Sequence, residues 1–362
     1  MMASLLDPVA TRPPSRAKRQ ADPGTRSVAG RDARSWLKTL VPYREPKLAR
    51  GLAELAVTAL PFAGLWLAMW LSLDYAYGLC LLLAVPAAGF LVRLFMIQHD
   101  CGHGSFFRRR QANDWTGRAI GILTLTPYGH WRHAHAIHHA TSGNLSRRGI
   151  GDVDTLTVRE YRQLAWWRRL AYRLSRNPLI LLGVGPLYLF VLRHRLPTQA
   201  MRSNADAWRS TMATNLALAA VVGLMVALVG VRDFLLVQVP ITWLASSIGV
   251  WLFYVQHQFE HAYWEQDETW SVHAGAMHGS SHLDLPPVLR WFSANIGVHH
   301  VHHLCSRIPS YRLGEVLRAH PELGDLNRLT LRHSFACFRL SLWDEDQKRL
   351  TSFCEARASM AR

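Results

Sequence analysis

The sequence predicts an all-α integral membrane protein, with four transmembrane helices arranged as two hairpins and a helical cap on the cytoplasmic side. Two observations lead to this fold class. Charged residues make up 18% of the 362-residue chain, below the roughly 25% of ordinary soluble domains, and they are concentrated in three blocks. The stretches between those blocks hold four apolar runs that are long enough to cross a bilayer.

The four spans are placed near residues 51–73, 75–96, 210–231 and 234–256. The 23 residues from Phe234 to Gln256 carry no charge. As a helix they rise about 34 Å, against a hydrocarbon core of about 30 Å. Buried helices of a large soluble core are the alternative for any single run, but four runs in two pairs indicate a membrane protein. Short turns near Asp74 and Asp233 join the members of each pair.

The basic charge indicates which side each block faces. Residues 1–50 carry a net charge of +7 and residues 97–209 a net charge of +11, out of +16 for the whole chain. Lys and Arg mark the cytoplasmic side of a membrane protein, so these blocks and the C-terminal block are predicted to be cytoplasmic. Because the charge is confined in this way, it indicates membrane sidedness and does not indicate nucleic-acid binding.

The blocks outside the spans suggest three regions. Residues 1–40 are rich in Arg, Pro, Ala and Ser without apolar periodicity, which predicts a disordered basic region. Residues 41–345 form the main domain and residues 346–362 a C-terminal tail. Within the main domain, Pro178–Leu192 is too short for a span and is interpreted as a re-entrant or interfacial segment. The preceding Tyr161–Arg176 is either an amphipathic helix in the headgroup plane or a soluble surface helix.

Histidine is the most informative residue type. Thirteen of the 19 histidines fall in four short windows, each at or next to the cytoplasmic end of an apolar segment. The windows contain His99 and His103; His130, His133, His135, His138 and His139; His257 and His261; and His299, His300, His302 and His303. The remaining six, outside any regular spacing, are predicted to be surface residues: His194, His273, His278, His282, His320 and His333.

The spacing inside three of these windows is that of chelating helix faces. His99 and His103 are at i and i+4, and the windows 135–139 and 299–303 each offer imidazoles at i, i+3 and i+4. Together these give eight nitrogen ligands, too many for one tetrahedral zinc and suitable for two metal ions. A proton relay in a transporter would place its ionisable groups inside the spans, and the spans contain no histidine. A zinc-dependent membrane hydrolase remains an alternative.

Three motifs carry a resemblance to a known family. The boxes HDCGH (99–103), HAIHH (135–139) and HHVHH (299–303) resemble the three histidine boxes of the membrane fatty acid desaturases. The segments 103–107, 140–153, 253–260 and 285–297 are similar to the bacterial acyl-lipid branch, with Δ12/ω-6 and Δ5 enzymes as the nearest types. The resemblance covers roughly residues 50–345.

The resemblance implies a cytoplasmic non-haem di-iron centre, with two Fe ions and O2 as co-substrate. It implies nine iron ligands, of which His257 is the ninth: His99, His103, His135, His138, His139, His257, His299, His302 and His303. Asp100, Asp152 and Asn295 are predicted to accept hydrogen bonds from ligand N–H groups. No catalytic residue beyond the metal ligands is predicted. His130, His133 and His300 fall outside the family spacing and are expected to be neighbours of the site or surface residues.

The resemblance also implies the reaction. The expected activity is O2-dependent introduction of a cis double bond into a fatty acyl chain, carried on a membrane lipid or in another acyl form. A di-iron hydroxylase of the same superfamily, acting on acyl, alkane or carotenoid substrates, is the alternative. The chain has no flavin or NAD fingerprint, so electrons are expected from ferredoxin, or from a cytochrome b5-like protein with its reductase. The bacterial branch implies location in the inner membrane.

Overall fold

The structure is a computed structural model, and it describes residues 33–358. It is mostly helical, which confirms the predicted class. Its α-helices are α1 (Ala33–Leu40), α2 (Leu48–Ser72), α3 (Tyr77–His103), α4 (Arg110–Leu123), α5 (Tyr128–Thr141), α6 (Val158–Gln163), α7 (Trp166–Ser175), α8 (Gly185–Leu187), α9 (Ala205–Val229), α10 (Val231–His257), α11 (Val272–His278), α12 (Pro287–Phe292), α13 (His299–Leu304), α14 (Ser310–Ala319), α15 (Leu331–Ala336) and α16 (Phe353–Ala358).

Four of the described helices, α2, α3, α9 and α10, are long and apolar enough to cross a membrane. They correspond to the four predicted spans. Two of them run further than the hydropathy pattern suggests, because α3 continues past residue 96 to His103 and α10 continues to His257. Helix α3 therefore carries two histidines, and α10 one, directly at the end of its apolar length.

Helix α3 packs against both α2 and α10. Helices α2 and α10 also contact each other, and α9 contacts α10. Helix α9 packs against α4 and α5 near its start, where Ala207 and Thr211 are its only buried residues. Residues 216–229 of α9 are all apolar and none is buried, which suits contact with lipid chains.

A buried ion pair joins α2 to α3. Glu54 is 6% exposed and Arg93 is 5% exposed, and the two form a salt bridge. The Arg93 guanidinium also donates to the Thr58 hydroxyl at 3.1 Å and to the carbonyl of Trp291, and it lies 4.0 Å from the centre of the Trp291 ring. Arg93 therefore ties α12, which precedes the third histidine box, to α3.

Two small sheets were not anticipated from the sequence. One contains β1 (Leu156–Thr157), β4 (Leu342–Asp344) and β5 (Arg349–Thr351), and the other pairs β2 (His282–Asp284) with β3 (Arg328–Thr330) in parallel. Strands of two or three residues are too short to leave an alternating pattern in the sequence. Strand β5 lies within the predicted tail, and its Leu350 is fully buried.

The N-terminal boundary also differs from the expectation. Residues 33–40 form α1, and its Trp36 and Leu40 are completely buried against α13 and α14 residues such as Val301 and Leu313. An apolar stripe over eight residues is too short to stand out from the Arg- and Pro-rich sequence around it. The disordered region predicted for residues 1–40 therefore does not extend to residue 40, and residues 1–32 lie outside the described part.

The predicted amphipathic segment, Tyr161–Arg176, is not one helix, because residues 164–165 separate α6 from α7, whereas the interfacial segment after it is helical. Helix α7 exposes Trp166 and Trp167, and the stretch that follows contains π-helical turns at Ile180–Val184 and Tyr188–Leu192. This stretch is bent by 61° from α7. It packs along α10, where the Ser247 hydroxyl donates to the Leu182 carbonyl at 2.5 Å.

Candidate metal centre

The structure brings all nine predicted ligands together in two adjacent groups. Within each group, the ligand nitrogens lie within 4.8 Å of one another. The five-histidine cluster contains His99, His103, His135, His139 and His302. The four-histidine cluster contains His138, His257, His299 and His303.

Helical spacing explains how the chain divides its histidines. On α3, His99 and His103 are one turn apart and serve the five-histidine cluster together. Helices α5 and α13 lie between the clusters and contribute to both. On α5, His135 and His139 belong to the five-histidine cluster and His138 to the four-histidine cluster. On α13, His302 belongs to the five-histidine cluster, and His299 and His303 belong to the four-histidine cluster. The facing rings of His139 and His303 stack across the boundary with centres 4.1 Å apart.

The nitrogens are spaced as metal ligands are. The Nε2 atoms of His135 and His139 in the five-histidine cluster are 3.2 Å apart, and those of His257 and His299 in the four-histidine cluster are 3.0 Å apart. Two nitrogens at right angles around a metal, each about 2.1 Å from it, are about 3.0 Å apart. A neutral imidazole has one N–H and one lone pair, so Nε2 atoms that face each other without protons repel unless a cation lies among them. The donor set therefore fits two metal ions.

Hydrogen bonds on the far side of the rings fix which nitrogen is protonated. The His138 Nδ1–H donates to Asp152 Oδ1 at 2.5 Å, and the His257 Nδ1–H donates to the Gly279 carbonyl at 3.2 Å. The contact between His99 Nδ1 and Asp100 Oδ1 is longer, at 3.4 Å. In each contact the proton stays on Nδ1, so the lone pair of Nε2 faces the cluster. The hydrogen-bond partners of metal-bound histidines have the same effect. Asp100 and Asp152 therefore contact clustered imidazoles, and their role behind metal ligands stays a prediction.

Asn295 is placed differently from the prediction. Its Nδ2 donates to the Ser310 carbonyl at 3.3 Å, and the Ser310 N–H donates to Asp100 Oδ2 at 2.7 Å. Asn295 thus reaches the centre only through Ser310 and Asp100, and the predicted direct hydrogen bond to a ligand is wrong. The residue has a φ of 60°, in the left-handed region that Asn adopts more readily than most residues.

Removing the carboxylate behind His138 is expected to weaken metal binding. Asp152→Ala leaves the His138 Nδ1–H buried without an acceptor, so we expect metal affinity to fall by about 10–100-fold. Asp152→Asn, which keeps an acceptor oxygen, should lose less. Metal content after dialysis against a graded chelator measures the effect. Asp154→Ala is the matched control, because Asp154 contacts Tyr172 and Arg176 through its backbone carbonyl. Equal metal retention in Asp152→Ala and Asp154→Ala would contradict the assignment.

Burial sets the charge state of the ligands. It lowers the pKa of His135, His139, His299, His302 and His303 well below the ordinary value, and neighbouring imidazoles lower it further. These rings are therefore neutral in the folded protein at neutral pH, which is the form that binds a metal.

The lowered pKa values predict acid sensitivity of the metal-free protein. Below about pH 6.5 the unfolded chain takes up protons on these histidines and the folded chain does not. The free energy of unfolding therefore decreases as the pH decreases. We expect the stabilising contribution to be complete above pH 6.5 and to be lost progressively below it. Thermal unfolding of the metal-free protein at pH 7.5, 6.5 and 5.5 measures this. A midpoint that stays constant over that range would contradict it.

The other histidines do not enter either cluster. His300 lies between ligands on α13 but is fully buried on the opposite face, where its Nε2–H donates to the Leu323 carbonyl at 2.9 Å. His130 is buried and His133 is exposed. His282, predicted to be a surface residue, is 6% exposed and bonds through Nδ1 to the Gly324 carbonyl. Its place on the buried strand β2 explains the error.

Comparison with known proteins agrees with this geometry. The family model described as "Fatty acid desaturase" matches residues 74–335, which include all nine clustered histidines. The chain belongs to the fatty acid desaturase family. It is therefore an oxidoreductase of the desaturase type, and the resemblance carried by the histidine boxes is confirmed.

Three curated desaturases illustrate the range of relatives. A fatty acid desaturase of Bacillus subtilis (strain 168) is 45% identical over 87% of this chain and 89% of its own length. An sn-1 acyl-lipid omega-3 desaturase (ferredoxin) of Synechocystis sp. is 28% identical over 69% of this chain and 70% of its own. An sn-1 oleoyl-lipid 12-desaturase of Anabaena variabilis is 27% identical over 84% of each chain.

Sequence reasoning missed three neighbours of the desaturase centre. The Gly279 carbonyl carries no side-chain signal, so its bond to His257 was not predictable. The rings of Trp131 and Phe253 also lie against ligand histidines. A signal for Trp131 was present in its position one helical turn before His135, on the same face of α5.

Proposed function

We propose that this desaturase is an acyl-lipid enzyme that uses O2 and two iron ions to introduce a cis double bond into a fatty acyl chain. The observation that carries the proposal is the pair of adjacent, all-imidazole clusters at the ends of the apolar helices α3 and α10. A methylene group of an acyl chain has no acidic proton, and no acid or base among the side chains removes its hydrogen. When iron is bound, iron with O2 supplies the oxidising chemistry that can remove this hydrogen.

The chain's own residues hold and orient the site. The nine imidazoles would bind the two irons, five around one and four around the other. Asp152 and the Gly279 carbonyl hold the protons of His138 and His257 on Nδ1, so that Nε2 remains free. The five-nitrogen set exceeds the four ligands usual for zinc, which favours iron over a zinc hydrolase.

The substrate and electron donor are proposed from the relatives. The Synechocystis relative is named an acyl-lipid desaturase with ferredoxin, and the Anabaena relative an oleoyl-lipid desaturase. The chain lacks a flavin or NAD fingerprint, so a separate carrier must deliver electrons, either ferredoxin or a cytochrome b5-like protein with its reductase. The basic segment 97–209, with a net charge of +11, is suited to an acidic carrier or to anionic headgroups.

The proposed location is the inner membrane of a bacterium, with the metal centre on the cytoplasmic side. Helices α2 with α3, and α9 with α10, would then form two hairpins whose turns lie on the opposite side. The excess of Lys and Arg in segments 1–50 and 97–209 supports this orientation.

Expression in a host that lacks desaturases tests the function. The host is supplied with ferredoxin and its reductase, and its lipids are analysed by mass spectrometry with double-bond localisation. A new cis-unsaturated acyl chain that appears only with O2 is the expected result. A hydroxylated chain would favour the di-iron hydroxylase instead, and an unchanged lipid profile with competent electron donors would overturn both.

A further inference from the structure

A buried arginine lies behind the four-histidine cluster. Arg176 directly follows α7 and is 5% exposed. Its guanidinium donates hydrogen bonds to the Asp154 carbonyl, to the hydroxyls of Tyr172 at 3.0 Å and Thr155 at 3.4 Å, and to Gln258 Oε1 at 3.5 Å. These acceptors are all neutral oxygen atoms, so the dipoles of neutral groups stabilise the buried charge.

Two tyrosine rings enclose the guanidinium. It lies 5.1 Å from the centre of the Tyr172 ring and 5.7 Å from that of Tyr254. The Tyr172 hydroxyl donates to the Ser341 carbonyl at 2.6 Å and the Tyr254 hydroxyl to the Leu340 carbonyl at 2.8 Å, which fixes both rings. Burying a charge costs free energy, and apolar side chains of similar volume often replace buried charges without loss of stability. Packing alone therefore does not account for an arginine at this position.

Arg176 holds the loop that carries Asp152. Asp152 accepts the Nδ1–H of His138, and Arg176 binds the carbonyl of Asp154, two residues further along the loop. The start of the loop lies directly on α5, since a Cβ atom on Gly151 would be 3.2 Å from that of His138. Gly151 also has a φ of 74°, a conformation that glycine adopts without strain. The loop is therefore fixed on both sides of Asp152.

Arg176 also reaches the end of α10. Gln258 directly follows His257 of the four-histidine cluster and is completely buried. Its Oε1 accepts from Arg176, and its Nε2 donates at 2.9 Å to the Thr155 hydroxyl, which Arg176 also contacts. The loop behind His138 and the helix end that carries His257 are thus joined through Arg176 and Gln258.

We propose that Arg176 is a positioning residue of the metal centre, which sets the metal affinity of the four-histidine cluster by holding Asp152 and the end of α10 in place. This inference rests on the proposed function, because it requires both clusters to bind metal. The hydrogen bonds around Arg176 lead to His138 and His257, and both belong to the four-histidine cluster. Loss of Arg176 therefore weakens one metal site and spares the other, which a general loss of folding would not do.

Metal binding to one cluster at a time tests the proposal. His99→Ala with His103→Ala weakens the five-histidine cluster, and His257→Ala with His299→Ala weakens the four-histidine cluster, so the tighter binding step in each protein reports the intact cluster. Arg176→Met is added to each of these two backgrounds. Co2+ is titrated into the purified, metal-free, full-length proteins in detergent, and its affinity is measured by calorimetry. We expect Arg176→Met to lower Co2+ affinity by about 10–100-fold at the four-histidine cluster, the range for lost outer partners of metal ligands, and to leave the five-histidine cluster unchanged.

Two further variants complete the test. Arg176→Lys keeps a donor for the Asp154 carbonyl and should recover part of the lost affinity. If Arg176→Met does not yield folded protein, Arg176→Lys in the same two backgrounds decides, with a smaller loss expected at the four-histidine cluster alone. Arg173→Met is the matched control, because the Arg173 guanidinium donates to the Tyr161 hydroxyl at 2.6 Å and lies over the Phe353 ring, so its loss should leave both Co2+ affinities unchanged. An equal loss at both clusters, or no loss at either, would overturn the proposal.

The measurement does not depend on turnover. If the wild-type protein binds Co2+ at both clusters but makes no double bond, the proposed function fails, and the two binding steps still decide the role of Arg176. If the wild-type protein binds no Co2+, both the proposed function and the role of Arg176 are overturned.

Discussion

Replacing His302 with alanine is expected to abolish desaturation. His302 is 1% exposed, and its Nε2 lies 3.1 Å from that of His139 in the five-histidine cluster. Loss of a residue that hydrogen-bonds to a metal ligand already lowers metal affinity or activity by about 10–100-fold. Loss of a ligand itself should therefore lower activity by at least about 100-fold. The double-bond content of host lipids measures activity, and elemental analysis of the purified protein measures bound iron.

His300→Gln is the matched control for His302→Ala. His300 lies two positions away on the same short helix and is equally buried, but it bonds to the Leu323 carbonyl on the opposite face. Glutamine preserves a donor for that carbonyl, so iron content and activity should stay within about two-fold of wild type, as is usual when a hydrogen bond is conserved. Retention of iron and activity by His302→Ala would show that His302 is not a ligand.

Replacing Arg93 with alanine is expected to cause a large loss of stability. The substitution leaves Glu54 buried with a single remaining partner, Arg50, and removes a donor from the Trp291 carbonyl. Removing one member of a buried ion pair typically costs about 3–5 kcal/mol. A loss of that size corresponds to a fall of roughly 5–15 °C in the unfolding midpoint. Thermal unfolding in detergent, monitored by size-exclusion chromatography, measures it.

Two further variants test whether the stability lost in Arg93→Ala comes from the buried ion pair or from any substitution in this region. Arg50→Ala removes the 60% exposed partner of Glu54, and such a pair is worth less than about 1 kcal/mol. Combining Glu54→Gln with Arg93→Met removes both buried charges, and should recover part of the stability lost in Arg93→Ala. A midpoint for Arg93→Ala equal to that of Arg50→Ala would show that the buried pair contributes little.

The membrane helices and most of the ligand set could be predicted from the sequence, because both depend on local patterns along the chain. Uncharged runs such as 234–256 predict spans directly, because only length and polarity are involved. The i, i+3, i+4 spacing of 299–303 predicts a chelating helix face for the same local reason. His257 was different, because its i+4 neighbour His261 does not join it in either cluster, and its assignment as a ligand followed only from the family resemblance.

The grouping of the ligands and the neighbouring contacts depend on tertiary structure. The local sequence does not distinguish His138 from His139. These two residues belong to different clusters because α5 lies between the two clusters. Asn295 was assigned from its distance in sequence to His299, but its amide donates to the Ser310 carbonyl. The strands β1 to β5 are too short to have a period, and α1 is marked only by Trp36 and Leu40.

The arrangement of the ligands along the chain also constrains biosynthesis. His99 and His302 share one cluster although more than half of the chain separates them, and the other cluster needs His138 together with His303. Neither set of imidazoles is complete until α13 has been synthesised and has docked, so under the proposed function both irons would have their full ligand sets only late in maturation. A ribosome-bound fragment that ends before residue 299 holds at most six of the nine imidazoles, and such a chain lacks the stabilisation that a bound metal gives to the folded state.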